Sequence, residues 1–286
     1  MKNLIKTISI TFSLSVLMSC EPDNNPPNAN SSNCTDGVFN QQSSYGQVVD
    51  VDGNEYKTIL IGNQNWMAEN LRTSHYRNGE EIPNLTDPEQ WSNTVTGAWI
   101  FYQNNPENAC PKGKLYNFYT VFDDRGLCPD GWHIPTEAEW NELLYAIDPQ
   151  VYINPNMNSF GNASFSDPNA VKSLLSVGTN LNPTWMFSYY DSSSPGEIFY
   201  TPASGMTNTT GLSVVSTGTY YSSPGQDYHE FEGLNESVKF WTQSSFNPQW
   251  SSSQGIYKSI YVGQMETVGR MHADFNDGNS CRCIED

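Results

Sequence analysis

Only two stretches of this chain carry well-specified helix signals, and turn residues cut the rest into short runs. The first is Pro135-Thr136-Glu137-Ala138-Glu139, a capping box. Thr136 can accept from the Glu139 backbone N–H, and the Glu139 carboxylate can reach back to Thr136. Trp140, Leu143, Leu144 and Ile147 follow at helical spacing and predict one buried stripe. The second opens at Asp167-Pro168, buries Val171, Leu174 and Leu175, and is expected to stop at Gly178. A weaker third helix is expected over residues 114–122. Strands are expected around Asp52-Gly53, where two β-branched runs flank a hairpin turn. Asn65 to Leu71 should finish a strand and form a short helical turn, and residues 72–113 read as loop. From about 180 to 286, short alternating runs lie between Gly, Pro, Asn and Ser turns. The expected class is α+β, with mixed short β-strands, two to three helices and long loops.

The N-terminus reads as an address. Lys2 and Lys6 precede an apolar run of about a dozen residues, too short for the ~20 that a membrane span needs. Leu17-Met18-Ser19-Cys20 resembles a bacterial lipobox, which implies lipidation at Cys20 and a leader over residues 1–19. Residues 20–46 hold Pro, Asn, Ser and Gln with almost no aliphatics, and are expected to be a flexible tether. The folded domain is expected over 47–286. An acidic residue directly after Cys20 resembles outer-membrane retention, on the periplasmic side or the cell surface.

The formal charge of −18, with only 13 cations, argues against nucleic acid and against electrostatic docking on anionic lipid. Contact with a membrane is therefore expected through the lipid anchor alone.

Four ordered motifs carry a family resemblance: Asp52-Gly53-Asn54-Glu55-Tyr56-Lys57-Thr58 continuing into Ile61 to Leu71, Lys114-Leu115-Tyr116-Asn117-Phe118-Tyr119, Leu127 to Trp140, and the closing Arg282-Cys283-Ile284-Glu285-Asp286. Together they resemble the Fibrobacter succinogenes major paralogous domain, found in secreted and lipid-anchored proteins of Bacteroidetes and Fibrobacteres, with no established activity. Ile134 to Trp140 is also similar to the segment opening the second helix of formylglycine-generating enzymes. That similarity implies a C-type-lectin-like fold, in which terminal strands pair and long loops carry ligand sites.

Besides Cys20, five cysteines remain, and an exported chain should oxidise well-placed pairs. The resemblance implies Cys128–Cys283. Cys110–Cys281 is the expected second pair, since Cys281 and Cys283 share one face of a strand, leaving Cys34 free.

No His-Glu-x-x-His motif, Gly-x-Ser-x-Gly elbow or phosphate loop is present, so no catalytic residue is assigned. His133 reads as structural. An enzyme of the formylglycine-generating, sulfatase-modifying type is a weaker alternative, because Cys281-Arg282-Cys283 is spaced too closely for that family's pair. A purely structural envelope component is another. The favoured expectation is a non-catalytic surface protein that binds a polysaccharide or a partner protein. Trp185, Tyr220, Tyr221, Tyr228, Trp241 and Trp250 are its candidate contact rings. No cofactor or metal is assigned. Asp227, Glu230, Glu232, Asn235 and Glu236 offer hard oxygen ligands and are the candidates should calcium bind.

Overall fold

The computed structural model describes residues 37–154, 159–165, 169–177, 185–190, 198–202, 205–222, 228–245, 254–261 and 267–286, with Thr35 and Asp167. Strands β1 (Gly46–Val49) and β2 (Glu55–Ile61) form the expected hairpin. Gly53 takes the positive φ of its turn, 79°, and the Asp50 carboxylate accepts from the backbone N–H of Asp52 and Asn54. Strand β3 (Gln64–Met67) folds back on β2, with Trp66 opposite Ile59, and no helical turn follows it.

Residues 72–113 are more structured than the sequence pattern suggests. They contain α1 (Pro88–Asn93), β4 (Trp99–Ile100) and the single turn α2 (Ala109–Lys112). The signal for α1 is local: Asp87 accepts from Gln90 N, and Pro88 needs no hydrogen bond at the first position. The helix expected over 114–122 is instead β5 (Leu115–Tyr116) followed by α3 (Phe118–Val121). Asn117 divides them by capping Thr120 N at 3.1 Å.

Next come β6 (Trp132–His133) and α4 (Glu137–Ile147), whose reciprocal capping box at Thr136 and Glu139 forms as expected. After β7 (Tyr152–Ile153) and β8 (Ser159–Ser164), helix α5 spans only Ala170–Leu174. Asn169, not Asp167, precedes it, and Leu175 leaves the helix to bridge Val214. The remainder is β9 (Met186–Tyr190), β10 (Ile198–Pro202), β11 (Thr219–Ser222), β12 (His229–Glu232), β13 (Ser237–Ser245), β14 (Gln254–Tyr261), β15 (Thr267–Asp274) and β16 (Ile284–Glu285).

The architecture is α+β and mostly sheet. One five-stranded sheet runs β1-β2-β3-β16-β6, so the closing strand lies between β3 and β6. A second runs β13-β14-β15-β8-β7, and three two-stranded ladders complete the set among the described residues. Trp140 of α4 packs on Phe240 and Trp66, centroids 5.4 and 4.8 Å away, which joins the helix stripe to both sheets. Cys128 and Cys283 are bonded, tying the segment before α4 to the closing strand.

The tether is shorter than its composition suggests. Val38 is buried, and Asn40 Nδ2 donates to Asn208 O at 3.0 Å. Asn208 Nδ2 donates back to Val38 O at 3.0 Å, and Tyr45 OH donates to Gly211 O at 2.9 Å. Two rings, one aliphatic and an amide exchange supply burial that the average composition of residues 20–46 hides. Among the described residues, Val38, Phe39 and Tyr45 thus already pack on the domain ahead of residue 47.

Candidate functional site

Two adjoining hollows, ≈ 320 and ≈ 300 Å³, share Val95, Tyr119 and Phe275. Their floor is built by α3 and the turn after β15. The capped start of α3 turns Phe118 into the core and leaves Tyr119 half-buried and Phe122 56% exposed at the helix end. Phe118 N donates to Phe275 O at 2.8 Å, which brings the rings of these segments together. Phe275 stacks on Phe118 at 4.7 Å and meets the edge of Tyr119 at 5.4 Å. Phe122 lies 5.4 Å from Phe118 on the other side. Val95, 73% exposed just beyond α1, forms the opposite wall.

The rim is polar. Asn276 Nδ2 donates to the carbonyls of Trp91 and Thr94, which fixes the wall carrying Val95. Asp123 and Asp274 stand at opposite ends. Hydrogen bonds from Arg125 hold the Asp123 carboxyl below its usual range against the effect of burial, so it is ionised and paired at 2.7 Å. The groove therefore offers the exposed Phe122 ring and the half-buried rings of Tyr119 and Phe275, flanked by acceptors and amides. That combination suits stacking and hydrogen bonding to a neutral polyhydroxyl chain, or an apolar peptide edge. A larger hollow of ≈ 390 Å³ between β2, α4 and α5 is lined by aliphatic and small polar side chains and has no ring.

The rings expected at the binding surface are mostly elsewhere. Trp185, Tyr220 and Trp241 are buried, and the two indoles find core partners: Trp185 Nε1 donates to Val214 O at 3.1 Å, Trp241 Nε1 to Tyr116 O at 2.8 Å. They are core residues because strands β11 and β13 and the segment before β9 carry them into the interior, and they present no face to a ligand. Tyr221 is half-buried and accepts from Lys239 Nζ, whose ammonium lies 4.0 Å from the ring centroid. Tyr228 is exposed, its hydroxyl donating to Glu232 Oε1 at 2.8 Å. Trp250, Asp227, Cys20 and Cys34 lie outside the described residues.

Among the described residues no group of three or more His, Cys, Asp or Glu is placed to hold a metal. Glu230, Glu232 and Glu236 thus form no such group by themselves, and Asn235 takes a positive φ of 65° in the turn between β12 and β13. The groove rings Tyr119, Phe122 and Phe275 carry no sequence signal of exposure. Only the junction of α3 with a turn near the far end of the chain defines them.

Beneath the site, Cys281 is a free, buried thiol, which corrects the expected Cys110–Cys281 pair. Cys110 is itself disulfide-bonded, to another partner. Cys281 and Cys283 do lie two apart, and Leu71 N bonds Cys281 O while Met67 N bonds Cys283 O, so this segment is locked against β3 and its continuation. His133 is clamped between Glu139, 2.8 Å from Nε2, and Asp286, 2.6 Å from Nδ1. Burial works against its ionisation, but the two carboxylates win and raise its pKa. It joins β6, α4 and the closing segment, a positioning role.

No helix among the described residues is long and apolar enough to cross a membrane. No curated protein and no solved structure matches the chain. The Fibrobacter succinogenes major domain matches residues 59–285, which include the closing strand, the bonded pair Cys128 and Cys283 and the groove, and the chain belongs to that family.

Proposed function

We propose that this chain is a lipid-anchored, exported binding module that holds an uncharged polysaccharide in the ring-lined groove. The observation that carries the reading is the row Tyr119, Phe275 and Phe122, backed by the buried Phe118, beside Val95 between acidic and amide side chains. Rings left facing solvent in a chain that buries most of its tryptophans favour recognition. The charge of −18 disfavours acidic glycans and nucleic acid. The C-type-lectin-like reading of the fold is supported by the closing strand pairing with β3 beside the N-terminal hairpin. Anchoring at Cys20 in an outer membrane rests on the leader sequence alone.

The test is retention of the folded chain from Glu21 onward, which keeps Cys34, on immobilised neutral and acidic polysaccharides, with calcium and with EDTA. Retention on a neutral glycan should weaken at least about tenfold in Phe122→Ala and in Tyr119→Ala, the loss of a stacked ring of ~1.4 kcal/mol or more. EDTA sensitivity would add calcium. Retention unchanged in both variants overturns the groove. Absence of retention on every glycan favours the partner-protein reading.

A further inference from the structure

A second cluster lies at the junction of the β1–β2 turn, the segment after β3 and the start of β5. Lys114 is buried, and its Nζ lies 2.5 Å from Ser74 Oγ. No ion pair among the described residues involves it. Its nitrogen stands 3.6 Å from the Trp99 ring centroid, with Phe101 beyond at 5.7 Å. A lysine that only needed burial of its stem would turn its head to water. Here the head is turned inward onto one hydroxyl.

The serine is held as firmly as the lysine. The Asp52 carboxylate accepts from the Ser74 backbone N–H at 2.5 Å, from Thr73 Oγ1 at 3.2 Å, and contacts His75 Nδ1. Tyr116 OH donates to Thr73 O at 2.8 Å, and Lys114 N to Leu71 O at 3.0 Å. Gly113 permits this approach: its φ is 79°, and a Cβ there would stand 2.6 Å from Leu71 O. Yet the site is open, because Ser74 is half-buried and the His75 side chain is 39% exposed. A buried base and a hydroxyl at hydrogen-bond distance are the two central parts of an activated serine, and Asp52 adds a fixed backbone beneath the hydroxyl.

We propose that Ser74 is a nucleophile with Lys114 as its general base, able to take an acyl group from a small uncharged carboxylic ester. The lysine amine removes the Ser74 proton as Oγ forms its bond to the ester carbonyl carbon. The ester C–O bond then breaks, and the leaving alkoxide takes that proton from Lys114. Water attacks the acyl-serine by the same route and returns the free hydroxyl with a carboxylic acid. The acidic chain disfavours anionic substrates. Burial, only partly offset by Asp52 and Asp50, lowers the Lys114 pKa to about 8, so the amine form is accessible near neutral pH.

The full chain is treated with a fluorophosphonate, which forms an O–P bond at an activated serine and releases fluoride, and the product is mapped by peptide mass. Label is expected on Ser74, at a rate rising about tenfold per pH unit below pH 8 and levelling above it. Urea should abolish it, and Ser74→Ala should remove it. Lys114→Arg keeps the charge and the donor but cannot deprotonate, and should slow labelling at least a hundredfold. Turnover of p-nitrophenyl acetate should follow the same pH profile. Absence of label on Ser74, a pH-independent rate in the unaltered chain, or an unchanged rate in Lys114→Arg overturns the proposal. The unaltered chain's pH profile decides the matter even where a variant does not fold. None of these readouts depends on polysaccharide binding.

Discussion

Replacing Cys128 and Cys283 together by alanine should remove about 5 kcal/mol through loop entropy alone, from the relation between loop length and denatured-state entropy at 25 °C. The pair is separated by 155 residues. Halving that loop would change the figure by only about 0.6 kcal/mol, so its exact length is not critical. Both cysteines are buried, at 1% and 0% exposure, and lost sulfurs leave small voids that add about 1 kcal/mol. Residual structure in the denatured chain acts the other way, giving a net expectation of about 3–5 kcal/mol. Against a typical domain stability of ~5–15 kcal/mol this is a large fraction.

The assay is urea unfolding followed by tryptophan fluorescence, which reports the buried Trp66 and Trp140. The unaltered chain, the double variant and the chain under reductant are compared. Reductant also opens the bridge at Cys110, so its excess effect over the double variant measures that second constraint. In the folded chain burial pushes the Cys281 thiol well above the ordinary range, which disfavours attack on the neighbouring disulfide, and a buffer at about pH 6 keeps it protonated once urea exposes it. A loss below 1 kcal/mol at unchanged urea dependence would refute the reasoning, and would mean that the ladder of β16 holds the closing segment without the bridge.

Arg282 is buried without an ion pair among the described residues. It donates to Asn70 Oδ1 at 2.7 Å, Leu212 O at 2.5 Å, Ser213 O at 3.1 Å and Met67 O at 3.3 Å. Arg282→Lys keeps the charge, but a compact ammonium cannot serve four acceptors on two segments, and urea unfolding should show a loss of about 2–4 kcal/mol. A loss below 1 kcal/mol refutes that role. Burial raises the Asp277 carboxyl to about pH 7, against Lys239 and the Ser222 N–H. A raised carboxyl contributes stability fully below its ordinary range, and loses it as pH rises through about 7. Asp277→Asn keeps an acceptor for Ser222 N, so thermal melts between pH 5 and 8.5 should lose part of the decline seen in the unaltered chain. Parallel curves would place the pH dependence elsewhere.

Elements set by neighbours along the chain are legible in the residues themselves. The Thr136–Glu139 capping box, the turn at Gly53 and the stripe from Trp140 to Leu144 need only contacts within one helical turn or one hairpin. Helix α5 is legible in its face but not its ends, because the bridge from Leu175 to Val214 competes with the last helical turn. The same holds for 114–122, where pairing of Leu115 and Tyr116 with β4 overrides a short helical propensity.

The class and the family follow from the order of residues, since motifs and periodicity are local properties that survive without neighbours in space, and the family resemblance in turn implies the Cys128–Cys283 pair. Which rings face solvent is a matter of assembly. Trp241 and Phe122 have no local difference that marks one as core and the other as 56% exposed. The first lies in a strand between packed layers, the second at the free end of α3. The partner of Cys110, the folding of residues 38–45 onto Asn208, and the meeting of Ser74 with Lys114 are likewise set by contacts distant in sequence. One cause underlies them all: burial and proximity belong to the assembled chain, and a residue's type fixes only what it can do once it arrives.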